Sequence, residues 1–295
     1  MVFSGAFDSS FIELIMKYEK GPSEKLLAEL ANHAAARAVH QHATRFNNTT
    51  KNCIQFWKSI LDDVFENRIQ ARGRIESSLQ YLEKNEQRLH KLLGEVAKFL
   101  PPDIELSFKI HGIVGYDIGI VFNGDAFLNL AAKHYEKDSR ELLYFAMHES
   151  HHVGYTHYNP LYSFSDLETM RDLLDIVRYS THLEGLATYA PLERRRKDNG
   201  LEHQDYSVLV NPEKVDERCS SYWALLGQIE DEKERRIEDR DFEVIERMSG
   251  RNERLWYIAG AEMCRSIDKT LGRDRLRATV TRGPLDFFRA YEEAV

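Results

Sequence analysis

Cysteine is scarce in this chain: three occur in 295 residues, and no two of them have C-x-x-C spacing (Cys53, Cys219, Cys264). An odd number of distant thiols argues against a disulfide framework and against a zinc site built from paired thiolates. We therefore expect a reducing compartment, and any metal site must use other ligands.

Long apolar runs and basic stripes are also missing. No window approaches the roughly 18 apolar residues that span a bilayer, and the first residues lack the basic-then-apolar pattern of a secretory signal. The net charge is -8 and the sequence pI is near 5.9, whereas nucleic-acid binding needs clustered Lys and Arg. We expect a soluble cytoplasmic protein without a membrane or nucleic-acid partner; the sequence leaves its oligomeric state open.

Helical periodicity is present over most of the first hundred residues. The segment Ile69–Leu100 predicts one long amphipathic helix, because its apolar residues recur at spacings of three, four and seven. Pro101 and Pro102 end it, since a proline ring cannot continue the helical ladder. We predict a helical N-terminal region, residues 1–100, packed on a catalytic domain formed by residues 101–295.

A β-rich patch follows the prolines. Ile104–Ile110 alternates apolar and polar residues, Ile118–Phe122 reads as a second strand, and Phe127–Leu130 as a third. Asn123-Gly124 is a strong hairpin-turn signal. The chain after Ser139 reads as helical again, apart from loops near Thr156–Phe164, Asn199–Val210 and Thr281–Pro284. The predicted fold class is mainly α with a small β-sheet.

The motif HExxH occupies residues 148–152 within an apolar helical stretch that ends at Gly154. Residues four apart lie one turn above each other on a helix, so His148 and His152 can reach one Zn²⁺ ion. Glu149 lies about 100° round the same helix. It therefore flanks the ion at the position of a general base. Five letters can also arise by chance, so an incidental HExxH remains open.

A catalytic zinc site needs a third protein ligand, and Glu184 is the best candidate. Ser165–Glu168 reads as a capping box that starts the helix carrying it. Glu184 stands among apolar residues, where an unpaired carboxylate is costly. Gly185 and Ala187 are small and would let this helix approach the HExxH helix closely. A partly exposed surface Glu is the alternative.

The HExxH motif and the segment around Glu184 together resemble a known group of enzymes. An HExHH core followed about thirty residues later by HLEGLATY (182–189) resembles the gluzincin zinc metallopeptidases. More narrowly, it resembles bacterial families of zinc-dependent peptidases of unassigned function with a downstream EG(L/A)A segment, and the C-terminal segments 255–263 and 282–288 are similar to their usual ending. The resemblance implies a zincin-like α+β catalytic core, zinc ligands His148, His152 and Glu184, and Glu149 as base. Thr188 departs from the thermolysin pattern, which has an aspartate there.

A peptide or small amide is the substrate that the resemblance implies, with Glu149 returning its proton to the leaving nitrogen. An oxyanion stabiliser is also needed. Tyr189, His182 and Arg282 are plausible, and we favour Tyr257 because the resembling families keep an aromatic residue near the glycine that follows it.

Three other functions stay open. The same site could hydrolyse a non-peptide amide or ester. A ferritin-like di-iron protein is disfavoured because a second ExxH is missing. A non-catalytic helical scaffold with a degenerate HExxH would hold no metal.

His151 is three residues from His148, so these two imidazoles could chelate one metal ion. A hydrogen bond near the site is the simpler role for His151.

Overall fold

A computed structural model describes residues 2–46, 48–161 and 167–295. The fold is mainly α with a small four-stranded mixed sheet, as the sequence predicts. None of the helices in these ranges combines the length and the apolar character that crossing a bilayer requires.

The chain forms two compact units. The first comprises Met1–Glu95 and Asp103–Val153, and the second comprises Val96–Pro102 and Gly154–Val295. The boundary predicted after residue 100 stays a prediction.

The first unit contains the sheet and the N-terminal helices. Its strands and helices are β1 Val2–Asp8, α1 Ser10–Lys20, α2 Glu24–Asn32, α3 Ala34–Arg45, α4 Cys53–Val64, α5 Arg68–Lys84, α6 Glu86–Val96, β2 Glu105–Ile113, β3 Gly119–Phe122 and β4 Asp125–Asn129.

The sheet has the strand order β1-β2-β4-β3. β2 is parallel to both of its neighbours, and β3 is antiparallel to β4. The turn between β3 and β4 has positive φ at both Asn123 (51°) and Gly124 (83°). Positive φ at both central residues is what a two-residue hairpin turn demands, so the predicted Asn-Gly turn is confirmed. β3 lies at one edge of the sheet.

Two features of this unit differ from the prediction. β1 was not predicted; it pairs with β2 in parallel register from Val2↔Glu105 to Asp8↔His111. The predicted long helix is two helices, α5 and α6, separated at Asn85. The Asn85 side-chain Nδ2 donates to the Tyr81 carbonyl at 2.9 Å, and such local hydrogen bonds compete with the helical ladder.

The second unit is mainly helical in the residues described, with one isolated β-bridge between Thr169 and Arg236. Its helices are α8 Met170–Tyr189, α9 Leu192–Lys197, α10 Gln204–Leu209, α11 Pro212–Asp231, α12 Glu243–Ser249, α13 Leu255–Thr270, α14 Arg273–Arg282 and α15 Pro284–Ala294. Of these, α10 lies in a stretch that the sequence predicts as a loop.

Helices α8 and α13 touch at backbone level in the second unit. A Cβ on Gly185 would come within 2.5 Å of the Cα and carbonyl carbon of Gly260. Gly185 was predicted to admit the HExxH helix, but its closest neighbours belong to α13. The small residue is therefore needed for packing, as predicted, against a different partner.

The sequence predicts that the HExxH helix ends at Gly154, but helix α7 runs from Glu141 to Tyr158 and continues past this residue. A Cβ on Gly154 would meet Leu100 Cδ2 at 2.8 Å, so this glycine permits close packing in the middle of a helix. Helix α8 begins at Met170, capped by Thr169 and by the Asp172 carboxylate. Of the capping box predicted at Ser165–Glu168, Ser165 and Asp166 lie outside the described residues.

Candidate metal centre

Helix α7 presents the HExxH residues from a buried stretch. Leu142, Leu143 and Met147 are fully buried on the N-terminal side of the motif, and they anchor this part of the helix in apolar surroundings. His152 is buried and His148 is half-buried. The predicted helical setting of the motif is confirmed.

The two imidazoles converge on one point. The Nε2 atoms of His148 and His152 lie 2.9 Å apart, and the rings are perpendicular with centroids 4.6 Å apart. Two ligands that each hold Zn²⁺ at about 2.0–2.1 Å in tetrahedral geometry have nitrogens about 3.3 Å apart. An opening of a few tenths of an ångström would therefore admit the ion, and the pair fits a zinc site.

Glu149 is only 5% exposed and its side chain lies against β3. A Cβ on Gly119 would meet the carboxylate carbon of Glu149 at 2.7 Å and its Cγ at 2.8 Å. The predicted base is thus packed against the edge strand of the sheet, a contact that the sequence did not reveal.

Glu184 lies in the last turns of α8 and is half-buried, between Leu183 and Gly185, which are both buried. The prediction that this carboxylate occupies an apolar stretch of helix agrees with that burial. Its own exposure is greater than the sequence suggested.

The three predicted ligands come together. His148, His152 and Glu184 each offer one ligand atom, and these atoms lie within 4.8 Å of one another. Two imidazole nitrogens and one carboxylate oxygen are the protein ligands of one well-known class of catalytic zinc site, which keeps a fourth position open. The assignment of each residue as a ligand stays a prediction.

Tyr257 lies on α13, in the unit that also contains Glu184. Burial, and after it the negative charge of Glu184, raise the pKa of the Tyr257 phenol far above its usual value, although the Arg254 cation acts in the opposite direction. The phenol is therefore protonated at neutral pH and can donate a hydrogen bond. This is the state that an oxyanion stabiliser needs.

Arg254 and Asp205 support Tyr257, and sequence reasoning missed both. The Arg254 guanidinium carbon lies 3.6 Å from the centre of the Tyr257 ring, within cation–π range. Its Nε donates to Asp205 Oδ1 at 2.5 Å. Arg254 also has a left-handed backbone, with φ of 52°, which is rare for a long side chain. No pattern in the sequence signals that conformation.

The other oxyanion candidates have different surroundings. The Tyr189 hydroxyl donates to Asp268 Oδ2 at 2.8 Å. His182 is fully buried, with Nδ1 2.9 Å from the Tyr155 hydroxyl and Nε2 2.9 Å from the Thr279 hydroxyl. Burial lowers the pKa of His182 to about 3, so its ring is neutral. Its two hydrogen bonds connect α8 to Tyr155 and to Thr279. Arg282 is exposed.

Two further buried residues, His151 and Tyr135, lie near the HExxH motif. His151 is fully buried and lies outside the group of three candidate ligands. Tyr135 is a buried phenol whose hydroxyl has no hydrogen-bond partner among the described residues. Burial, followed by the charge of Glu149, raises the pKa of Tyr135 far above its usual value. The sequence did not single out Tyr135, since it lies outside any motif.

Comparison with known proteins identifies the family of this chain. No curated protein and no solved structure matches it. A family model described as "Putative zinc dependent peptidase (DUF5700)" matches residues 15–295, which is nearly the whole chain. The resemblance to bacterial zinc-dependent peptidase families is thereby confirmed, and the chain belongs to the family of that description.

Proposed function

We propose that this protein is a zinc peptidase in which His148, His152 and Glu184 hold the ion and Glu149 is the general base. The observation that carries the proposal is the grouping of the three ligand atoms within 4.8 Å. The motif spacing and the apolar setting in the sequence predict the same three residues. Their donor set, two imidazoles and a carboxylate, suits Zn²⁺ and leaves room for a substrate atom.

Zinc, when bound, supplies a Lewis acid that polarises a carbonyl and makes water more acidic. Glu149 accepts the proton of the attacking water on a carboxylate oxygen and later delivers it to the leaving amide nitrogen. The packing against β3 limits where the carboxylate can go.

Tyr257 is proposed to donate its hydroxyl to the oxyanion that forms at the substrate carbonyl. We expect Tyr257→Phe to lower kcat by about 10²- to 10³-fold, because one such donor is lost while the ring and its contact with Arg254 remain. KM and zinc affinity should change little. Steady-state kinetics and a zinc titration on the same preparation measure these quantities.

Tyr189→Phe is the matched control, because it removes a phenol hydroxyl that is bonded to Asp268. Equal losses of kcat in the two variants, or a full kcat in Tyr257→Phe, would contradict the assignment of Tyr257.

Metal content tests the function as a whole. We expect about one zinc per chain by elemental analysis, and cleavage of members of an internally quenched fluorogenic peptide library. Dialysis against a chelator should abolish cleavage, and one equivalent of Zn²⁺ should restore it. The reason is that the zinc ion is the Lewis acid of the proposed site, whereas its imidazole and carboxylate ligands are electron donors.

Dialysis against the same chelator presaturated with zinc controls for damage by the treatment. Two irons per chain would favour the ferritin-like alternative, and a metal-free chain would favour the scaffold. Zinc binding with cleavage of esters or small amides but of no peptide would move the substrate to the non-peptide class.

A further inference from the structure

Glycine at position 119 is not explained by backbone conformation. Gly119 is the first residue of β3, and its φ is not among the positive values in the chain. Any residue could adopt that backbone, so the reason for glycine lies in what surrounds its Cα. The atoms nearest to a Cβ there are three atoms of the Glu149 side chain.

The β3 backbone is held on the side of β4. Gly119 pairs with Leu128 in the antiparallel ladder, and the Asn129 amide donates to the Ile118 carbonyl at 3.0 Å. The Ile118 amide in turn donates to Asp117 Oδ1 at 2.7 Å. A side chain added at 119 would therefore displace Glu149 more readily than it would displace the strand.

The atoms that a Cβ at 119 would meet belong to the Glu149 side chain and not to backbone, and a side chain can change rotamer. Moving its carboxylate carbon from 2.7 Å to an ordinary contact distance requires a shift of about 1 Å. A misplacement of about 1 Å can cost 10²-fold in rate. We therefore expect the added methyl group to change the stability of the fold little and to lower the catalytic rate strongly.

We propose that Gly119 is a positioning residue for Glu149: the bare backbone of β3 fixes where the general base holds its carboxylate. The inference rests on the proposed function of Glu149, but its geometric part can be tested without any activity.

Gly119→Ala is the direct test. We expect kcat on the fluorogenic peptide library to fall about 10²-fold, with zinc affinity and the unfolding midpoint close to those of the parent. A crystal structure of the variant should show the Glu149 carboxylate displaced by about 1 Å, and this readout needs neither zinc nor a substrate.

Glu149→Asp supplies a rescue. The shorter side chain lowers activity in the parent, but in the Gly119→Ala variant it makes room for the added methyl group. We therefore expect Glu149→Asp to reduce kcat at least about tenfold less in the Gly119→Ala background than in the parent, since residues in contact give non-additive effects.

Gly112→Ala is the matched control. It adds a methyl group to another strand glycine, where the Cβ would meet Ile12 Cγ1 at 2.7 Å. It should lower stability and leave both kcat of the folded protein and the Glu149 carboxylate unchanged.

An unmoved Glu149 carboxylate, additive effects of the two substitutions, loss of zinc or failure to fold in Gly119→Ala would each overturn the proposal. If the parent cleaves no peptide, the proposed function fails, while the displaced carboxylate in the crystal still decides the role of Gly119.

Discussion

Glu149→Gln is expected to bind zinc as tightly as the parent chain and to cleave peptides about 10²- to 10⁴-fold more slowly, the range that a general base contributes. Glutamine keeps the size and shape of the side chain, which matters because Glu149 is 5% exposed and lies against β3. The amide cannot accept the proton of the attacking water. The loss should therefore appear in kcat, and the ligands should be undisturbed.

Glu141→Gln is the control for this substitution. Glu141 lies on the same helix and is also buried, at 7% exposure, but it is two turns away from the motif. It should retain most of the parent activity. Turnover of zinc-loaded Glu149→Gln at the parent rate would show that another group takes the proton.

Glu184→Ala is expected to weaken zinc binding about 10²- to 10³-fold. Four-ligand zinc sites in small domains are worth about 10–16 kcal/mol, so one ligand contributes roughly 2.5–4 kcal/mol. Alanine leaves two imidazoles at the site and should keep α8 helical, because alanine has the highest helix propensity. Competition against a chromophoric chelator of known affinity measures the loss.

Asp175→Ala removes a carboxylate from the exposed face of the same helix. It should leave the zinc affinity unchanged, which separates ligation from a general effect of negative charge. Parent-like affinity in Glu184→Ala would mean that the third ligand is a different residue, and the group of three would then be a coincidence of packing.

Two local signals in the sequence are confirmed by the structure, because the cause of each lies within a few residues. The spacing of His148 and His152 fixes their shared face on any helix, and Asn123-Gly124 favours positive φ wherever it occurs. These two features account for the placement of the motif and for the β3–β4 hairpin.

Contacts between distant segments were not predictable in the same way. β1 pairs with a strand about a hundred residues later, and a short N-terminal run carries no sign of its partner. The glycines at 119 and 185 show the same limit. The sequence indicates that each is small, but only the fold reveals that one faces Glu149 and the other faces Gly260.

The contact between Gly185 and Gly260 also bears on how mutational data should be interpreted. A methyl group on either residue would overlap main-chain atoms of the other helix, and neither position has a side chain that a compensating exchange could shorten. Overlap would be relieved only by separating α8 from α13, the helices that carry Glu184 and Tyr257. A screen for activity would therefore mark both glycines as essential. Intolerance to substitution at these positions reflects the distance between two helices and is not a sign of chemistry.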